Sequence, residues 1–135
     1  MRAAGQFSVD SFVPAPVEPR PTVVTGLPVG VATMAKSYSG DVSGQSSTIF
    51  TAAFDQASGT GTYVAMESFQ GTLDGREGAF VYVHAASTTG SDRSDEYFVI
   101  APGSGVGDLA GITGGGGMRV EDDGTHHVWF DYSLG

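Results

Sequence analysis

A chain of 135 residues fits one domain, since domains most often run to roughly 100–150 residues, and a hydrophobic share of 40% is enough to build a core without a covalent staple. Fifteen acidic against six basic residues leave a net charge of −9, and Arg2, Arg20, Lys36, Arg76, Arg93 and Arg119 stand singly. No basic stripe exists to neutralise phosphates, so nucleic acid and anionic membrane are poor partners. The absence of cysteine excludes a disulfide framework, a thiol nucleophile and a thiolate metal site.

The opening MRAAGQFSVDSF holds one Arg but no apolar run of roughly 7–15 residues before a small-residue cleavage site, so a cytoplasmic protein is the default expectation. No window approaches the roughly 18 apolar residues of a membrane-spanning helix. Twenty-one glycines punctuate runs that are too short for helices and rich in Val, Phe, Tyr, Thr and Ser, an all-β pattern.

The first run is Ala4 to Phe12. VPAPVEPRP follows with four of the six prolines, which reads as an extended surface connection without regular pairing. The second run, Val29 to Tyr38, ends in SGDVSGQS, and the third is Ser46 to Phe54. Lys36 and Tyr38 share a strand face and are candidates to line one end of the interior; a lysine most often keeps its ammonium in water at a rim.

After the loop DQASGTG, the fourth run spans Thr62 to Gln70 and the fifth Gly78 to Ala86, joined through Asp74-Gly75. Asp-Gly between two alternating runs is a strong hairpin signal, because Gly readily supplies the positive φ of a primed turn. If Leu73 faces Arg76, Glu67 faces Tyr82 and His84 faces Ala65. Period two then puts Tyr63, Ala65, Glu67, Phe69, Phe80, Tyr82, His84 and Ala86 on one face. Glu67 and His84 become diagonal neighbours, roughly 7–8 Å apart in the backbone. They can serve as a cross-strand strut or as an acid/base pair, and a one-residue slip would separate them.

STTGSDRSD leads to a sixth run, Glu96 to Ala101, and the glycine-rich APGSGVGDLAGITGGGG connects it to a seventh, Met118 to Glu121. Asp122-Asp123-Gly124 turns the chain into an eighth, His126 to Tyr132. Eight such runs suit a small antiparallel barrel closed by its first and last strands, which also removes exposed edges.

Other motifs exclude more than they offer. Gly105-x-Gly107-x-x-Ala110 fits a dinucleotide fingerprint on paper, yet no helix can follow it in LAGITGGGG to present amides to a pyrophosphate. His126 and His127 are adjacent, so on a strand they point to opposite faces and cannot chelate one ion; neither a metal nor an organic cofactor is expected. No Gly-x-Ser-x-Gly elbow marks a serine hydrolase. Trp129, the single tryptophan, shares a face with Asp131 and is read as packing or partner surface, with ligand stacking as the alternative.

The segments KSYSGDVSGQS, YVAMESFQGTLDGREGAFVYVHA, APGSGVGDLAGITG and HHVWFDYSL resemble an uncharacterised bacterial family, a domain of unknown function whose members look like allene oxide cyclase barrels. The resemblance covers nearly the whole chain apart from the Pro-rich segment. It implies an eight-stranded antiparallel barrel with a short helical or irregular C-terminal end. It places Glu67, Asp74, Arg76, His84, Asp108 and Asp131 at matching motif positions, and GITGGGG departs by carrying glycine where a bulkier charged residue is common. That change is expected to loosen the segment or widen a barrel mouth.

Fold relatives include plant allene oxide cyclase, whose apolar cavity guides a ring closure, and small barrel cyclases of polyketide pathways. By that analogy the expected function is binding of an apolar small molecule, with cyclisation or isomerisation by Glu67 and His84. Tyr63, Phe69, Phe80, Tyr82, Lys36, Tyr38 and Trp129 are the candidate contacts. The rival expectation is a noncatalytic binding module or a homo-oligomeric assembly module, and a homodimer stays open.

Overall fold

The computed structural model describes all residues from Met1 to Gly135 and contains no helix, hence none long and apolar enough to cross a membrane. Nine strands form one antiparallel sheet: β1 (Arg2–Ala15), β2 (Val29–Gly40), β3 (Val42–Phe54), β4 (Thr60–Leu73), β5 (Arg76–Thr89), β6 (Arg93–Ile100), β7 (Val106–Gly107), β8 (Thr113–Val120) and β9 (His126–Ser133). Eight of them pair in a closed ring, β1-β2-β3-β4-β5-β6-β8-β9 and back to β1, the barrel expected from the sequence. β7 adds two residues to β5 at Gly78 and Ala79, below the stretch that β6 covers.

The central hairpin has the register that its turn dictates. Leu73 faces Arg76 and Glu67 faces Tyr82, while Asp74 and Gly75 take φ of 51° and 80°, the left-handed pair of a primed turn. Inward positions alternate with outward ones along β4 and β5, so Ala65, Glu67, Phe69, Phe80, Tyr82, His84 and Ala86 all point into the barrel.

Three expectations about element limits are corrected. β1 runs on into the Pro-rich segment, with Pro14 opposite Ala32. Its other neighbour, β9, pairs only as far as Phe7, so past that point one edge of β1 is free and a proline without an N–H is tolerated there. β8 starts at Thr113 rather than Met118, in full register with β9. Its glycines do not loosen the strand but make room for rings on both sides. A Cβ on Gly116 would sit 3.0 Å from the Phe98 ring inside, and one on Gly117 would collide with the Trp129 ring outside. Finally, the segment before β8 plugs the barrel rather than merely connecting strands, with Leu109 and Ile112 fully buried in its floor.

The two ends of the ring differ. The turns at Gly40-Asp41 and Asp74-Gly75 lie with both chain termini at one end, which we call the closed end. There the Asp74 amide donates to the Asp41 carbonyl at 2.9 Å. The Tyr132 hydroxyl donates to Asp74 Oδ2 at 2.6 Å and accepts from Arg76 Nη1 at 3.0 Å. Above this seal the interior is solid with Phe69, Phe80, Tyr82, Phe130, Ile100 and Leu73, all 2% exposed or less. Phe130 meets Phe80 and Tyr82 edge-on at 5.3 and 5.0 Å. Each such ring contributes about 1.5–3 kcal/mol by leaving water. The open end is bounded by the four other connections, and the candidate site lies there.

Candidate functional site

The polar residues of the interior cluster just above the solid core. Lys36 on β2, Thr48 on β3, Glu67 on β4 and His84 on β5 all point inward and are buried. Lys36 Nζ donates to Glu67 Oε1 at 2.6 Å, and Thr48 Oγ1 donates to the same oxygen at 3.0 Å. The expectation that the Lys36 ammonium sits in water is therefore corrected. A buried carboxylate needs a counter-charge, and Lys36 on the neighbouring strand but one is the cation within reach. Its ammonium also lies 4.8 Å from the centre of the Phe7 ring.

His84 has a separate partner. Its Nε2 lies 2.9 Å from Glu96 Oε2, and Arg93 Nε approaches the same carboxylate oxygen at 3.4 Å. Glu96 shares inward parity with Phe98 and Ile100 on β6, and the register of β5 against β6 shifts just there, between Ala85 and Ser87, with Asp95 at φ 54°. So the sequence places Glu67 and His84 on one face correctly, but the direct bond between them is not made: Glu67 is paired with Lys36 and His84 with the Glu96 carboxylate.

The electrostatics follow from burial. Desolvation lowers the His84 pKa from the ordinary histidine value, and the hydrogen bond and charge of Glu96 only partly oppose it. A neutral imidazole facing a carboxylate must donate Nε2–H to it, which makes Nδ1 the basic nitrogen. Nδ1 has no hydrogen-bond partner within the protein. His126, which lies 4.9 Å from Phe7 ring to ring, is also lowered, by burial first and then by the charges of Lys36 and Arg93.

A cavity of about 160 Å³ opens above this cluster, walled by Phe7, Met34, Phe50, Tyr63, Ala65 and Met118 with Lys36, His84 and His126 as its ionisable groups. Glu67 is not on its wall; Lys36 carries the effect of Glu67 to it. Buried in the core beneath this cluster is a tyrosine pair, Tyr38 and Tyr82, with hydroxyls 2.6 Å apart and Tyr38 also 2.8 Å from Ser46 Oγ. Burial, then the Glu67 charge, pushes both phenols up, so they stay protonated. Beyond the cavity, on the same inner face, a second concavity of about 280 Å³ continues along the flared ends of β1, β2 and β3, lined by Phe12, Pro14, Ala32, Ala52 and Phe54 among others. Phe50 belongs to both walls, stacked on Tyr63 at 5.5 Å and edge-on to Phe12 at 5.7 Å.

Of the residues singled out from the sequence, Tyr63, Lys36 and His84 line the cavity, while Tyr38 and Tyr82 are buried in the core and do not reach its wall. Phe69 and Phe80 lie deeper, in the solid core. Trp129 is on the outer wall, 5.7 Å from the Arg2 guanidinium and packed over Gly117, so it stacks on nothing inside. Sequence reasoning missed Thr48, Glu96, Phe50 and Met34. Strand parity was the available signal: Thr48 and Phe50 continue the inward series of Ser46, and Glu96 that of Phe98.

The fold and site define a closed β-barrel with one solid end and one polar, partly hollow end. The chain belongs to the DUF3224 family, proteins of unknown function, whose model matches residues 3–132. It is similar over its whole length to a solved DUF3224 protein of unknown function from Shewanella oneidensis MR-1, at 27% identity, 98% coverage of that chain and a TM-score of 0.81. No curated protein matches the chain.

Proposed function

We propose that the open end binds a small, largely apolar molecule bearing one polar acceptor such as a carbonyl, and that the site can move a proton on it. The observation that carries this reading is the cavity itself: apolar and aromatic walls with a few convergent polar groups, set in a barrel whose other end is filled. A ligand longer than the inner cavity would extend past Phe50 into the second concavity, its chain against Phe12, Pro14 and Phe54.

In this reading Lys36 donates to the acceptor oxygen and stabilises charge that develops on it, while Glu67 holds the ammonium in place. His84 Nδ1 removes a proton from a neighbouring carbon, and Glu96 supports the imidazolium that forms. No cofactor is required for such an isomerisation or cyclisation, and a pericyclic closure would need only that the cavity fix a folded substrate. Positioned proton transfer contributes about 10²–10⁴-fold, so His84→Ala and Glu67→Gln each lower turnover by at least about tenfold once a substrate is in hand.

Binding is tested first, with 2-naphthol as the probe and its fluorescence as the readout. Saturable binding to the native chain, lost in Ala65→Phe, which fills the cavity, supports the site. Equal binding to both chains, or none to either, removes it. A ligand co-purified and recovered unchanged after long incubation would favour the noncatalytic module over the isomerase.

A further inference from the structure

The outward face of the wall made by β2 to β6 differs from the rest of the surface. The only charged residues of β2, β3 and β4 are Lys36 and Glu67, and both point inward. On β5 the charges Arg76 and Glu77 stand beside the turn at the closed end, and His84 points inward. On β6 the charges Arg93, Asp95 and Glu96 keep to its first four residues, at the open end. Across the middle of this wall Ile49 faces Met66, Met66 faces Val83, Val64 faces Ala85 and Ala85 faces Tyr97, one continuous apolar field. Ile49, Val64, Met66 and Tyr97 are 54%, 45%, 48% and 55% exposed. The opposite wall carries its charges outward, with Arg2 paired to Asp131 at 2.7 Å and Arg119 to Glu121 at 2.9 Å.

We propose that the β3–β6 part of this wall is the contact through which two copies of the chain form a symmetric dimer. The charge distribution selects the partner. A chain of net charge −9 repels its own copy wherever acidic groups face each other, and this wall is where two copies can meet without opposing charges. A basic partner would gain nothing from a neutral wall, and an anionic membrane would find no lysine or arginine across its middle. A two-fold contact needs one self-complementary patch, which an uncharged apolar field with a Ser and Thr border supplies.

Size is adequate as well. The four exposed side chains alone offer on the order of 400 Å², the extent at which a surface apolar patch is often functional. The uncharged border brings each copy toward the roughly 800 Å² that a stable interface buries per partner.

Analytical ultracentrifugation of the native chain tests the inference. At about 100 μM the expected species has twice the 13.8 kDa chain mass, and raising salt strengthens it, because screening weakens repulsion between acidic copies and the uncharged middle of the wall offers no ion pair between copies to lose. Met66→Glu places like charges in the contact and raises the dimer dissociation constant at least about 100-fold. Gln6→Lys, on the opposite wall, leaves it unchanged. Where circular dichroism shows that Met66→Glu has not folded, Ile49→Lys decides in its place. A monomeric native chain, a dimer that salt dissociates, or an unaltered dimer in a folded wall variant would each overturn the proposal.

Discussion

The closed and open ends are built from the same eight strands, yet they solve opposite problems. At the closed end the inward series is Leu73, Phe69, Phe80 and Phe130 with Leu109 and Ile112 inserted as a plug, and the polar groups there seal the rim from outside. At the open end the same strands turn Lys36, Glu67, Thr48 and His84 inward and leave a hollow above them. Nothing in backbone pairing requires the change; side-chain chemistry alone makes it. Buried charge costs stability that an apolar filling would not, so the division reads as a stability end supporting a chemistry end.

The comparison can be broken first at its most sensitive point. Phe130→Ala opens a void among Phe80, Tyr82 and Phe98 and costs about 3–5 kcal/mol in urea unfolding, without altering which residues face the open-end cavity. Next, Lys36→Met alone strands the Glu67 carboxylate and destabilises by about 3–5 kcal/mol, whereas Lys36→Met with Glu67→Leu restores most of that loss. A double-mutant cycle that finds the two effects additive would contradict the pairing.

The third effect is smaller and depends on pH. With its folded pKa depressed, His84 binds protons more readily in the unfolded chain, and the same holds for His126. Stability from both is fully present above about pH 6.5, the ordinary histidine value, and is lost as pH falls through their folded values. His84→Gln therefore flattens the decline of melting temperature between about pH 7 and 5, before the exposed carboxylates held low by local hydrogen bonds, such as Asp55 and Asp92, begin to titrate. The smallest effect belongs to the hairpin: Gly75→Ala, at φ 80°, costs about 1 kcal/mol and leaves the cavity untouched.

How legible these ends were in the sequence differs in a physical way. The Asp74-Gly75 turn fixed the register of β4 and β5, because a two-residue primed loop admits one pairing, and from it followed which residues share a face. That put Glu67 and His84 on one face, and only the closed ring makes that face the interior. The turn could not assign their partners, since Lys36 and Glu96 reach them from other strands, through pairings that no local turn encodes. The glycine run that opens β8 misled for a related reason. Gly114 to Gly117 lack the side chains that mark a strand, and what a Cβ would meet there, the backbone of Asp131, Phe98 and Trp129 and the rings of Phe98 and Trp129, is separate from them in sequence. The solid plug was hidden likewise, because Leu109 and Ile112 are isolated apolar residues in a loop until the barrel end closes over them.

The most direct test of the division between the two ends is a heteronuclear NMR titration of the native chain with 2-naphthol. Amide shifts are expected to saturate together at Met34, Lys36, Phe50, Tyr63, Ala65 and His84, around the hollow, with none at Val42, Leu73, Leu109 or Ile112. Shifts centred on the closed end, or no saturable shifts at any site, would contradict that division.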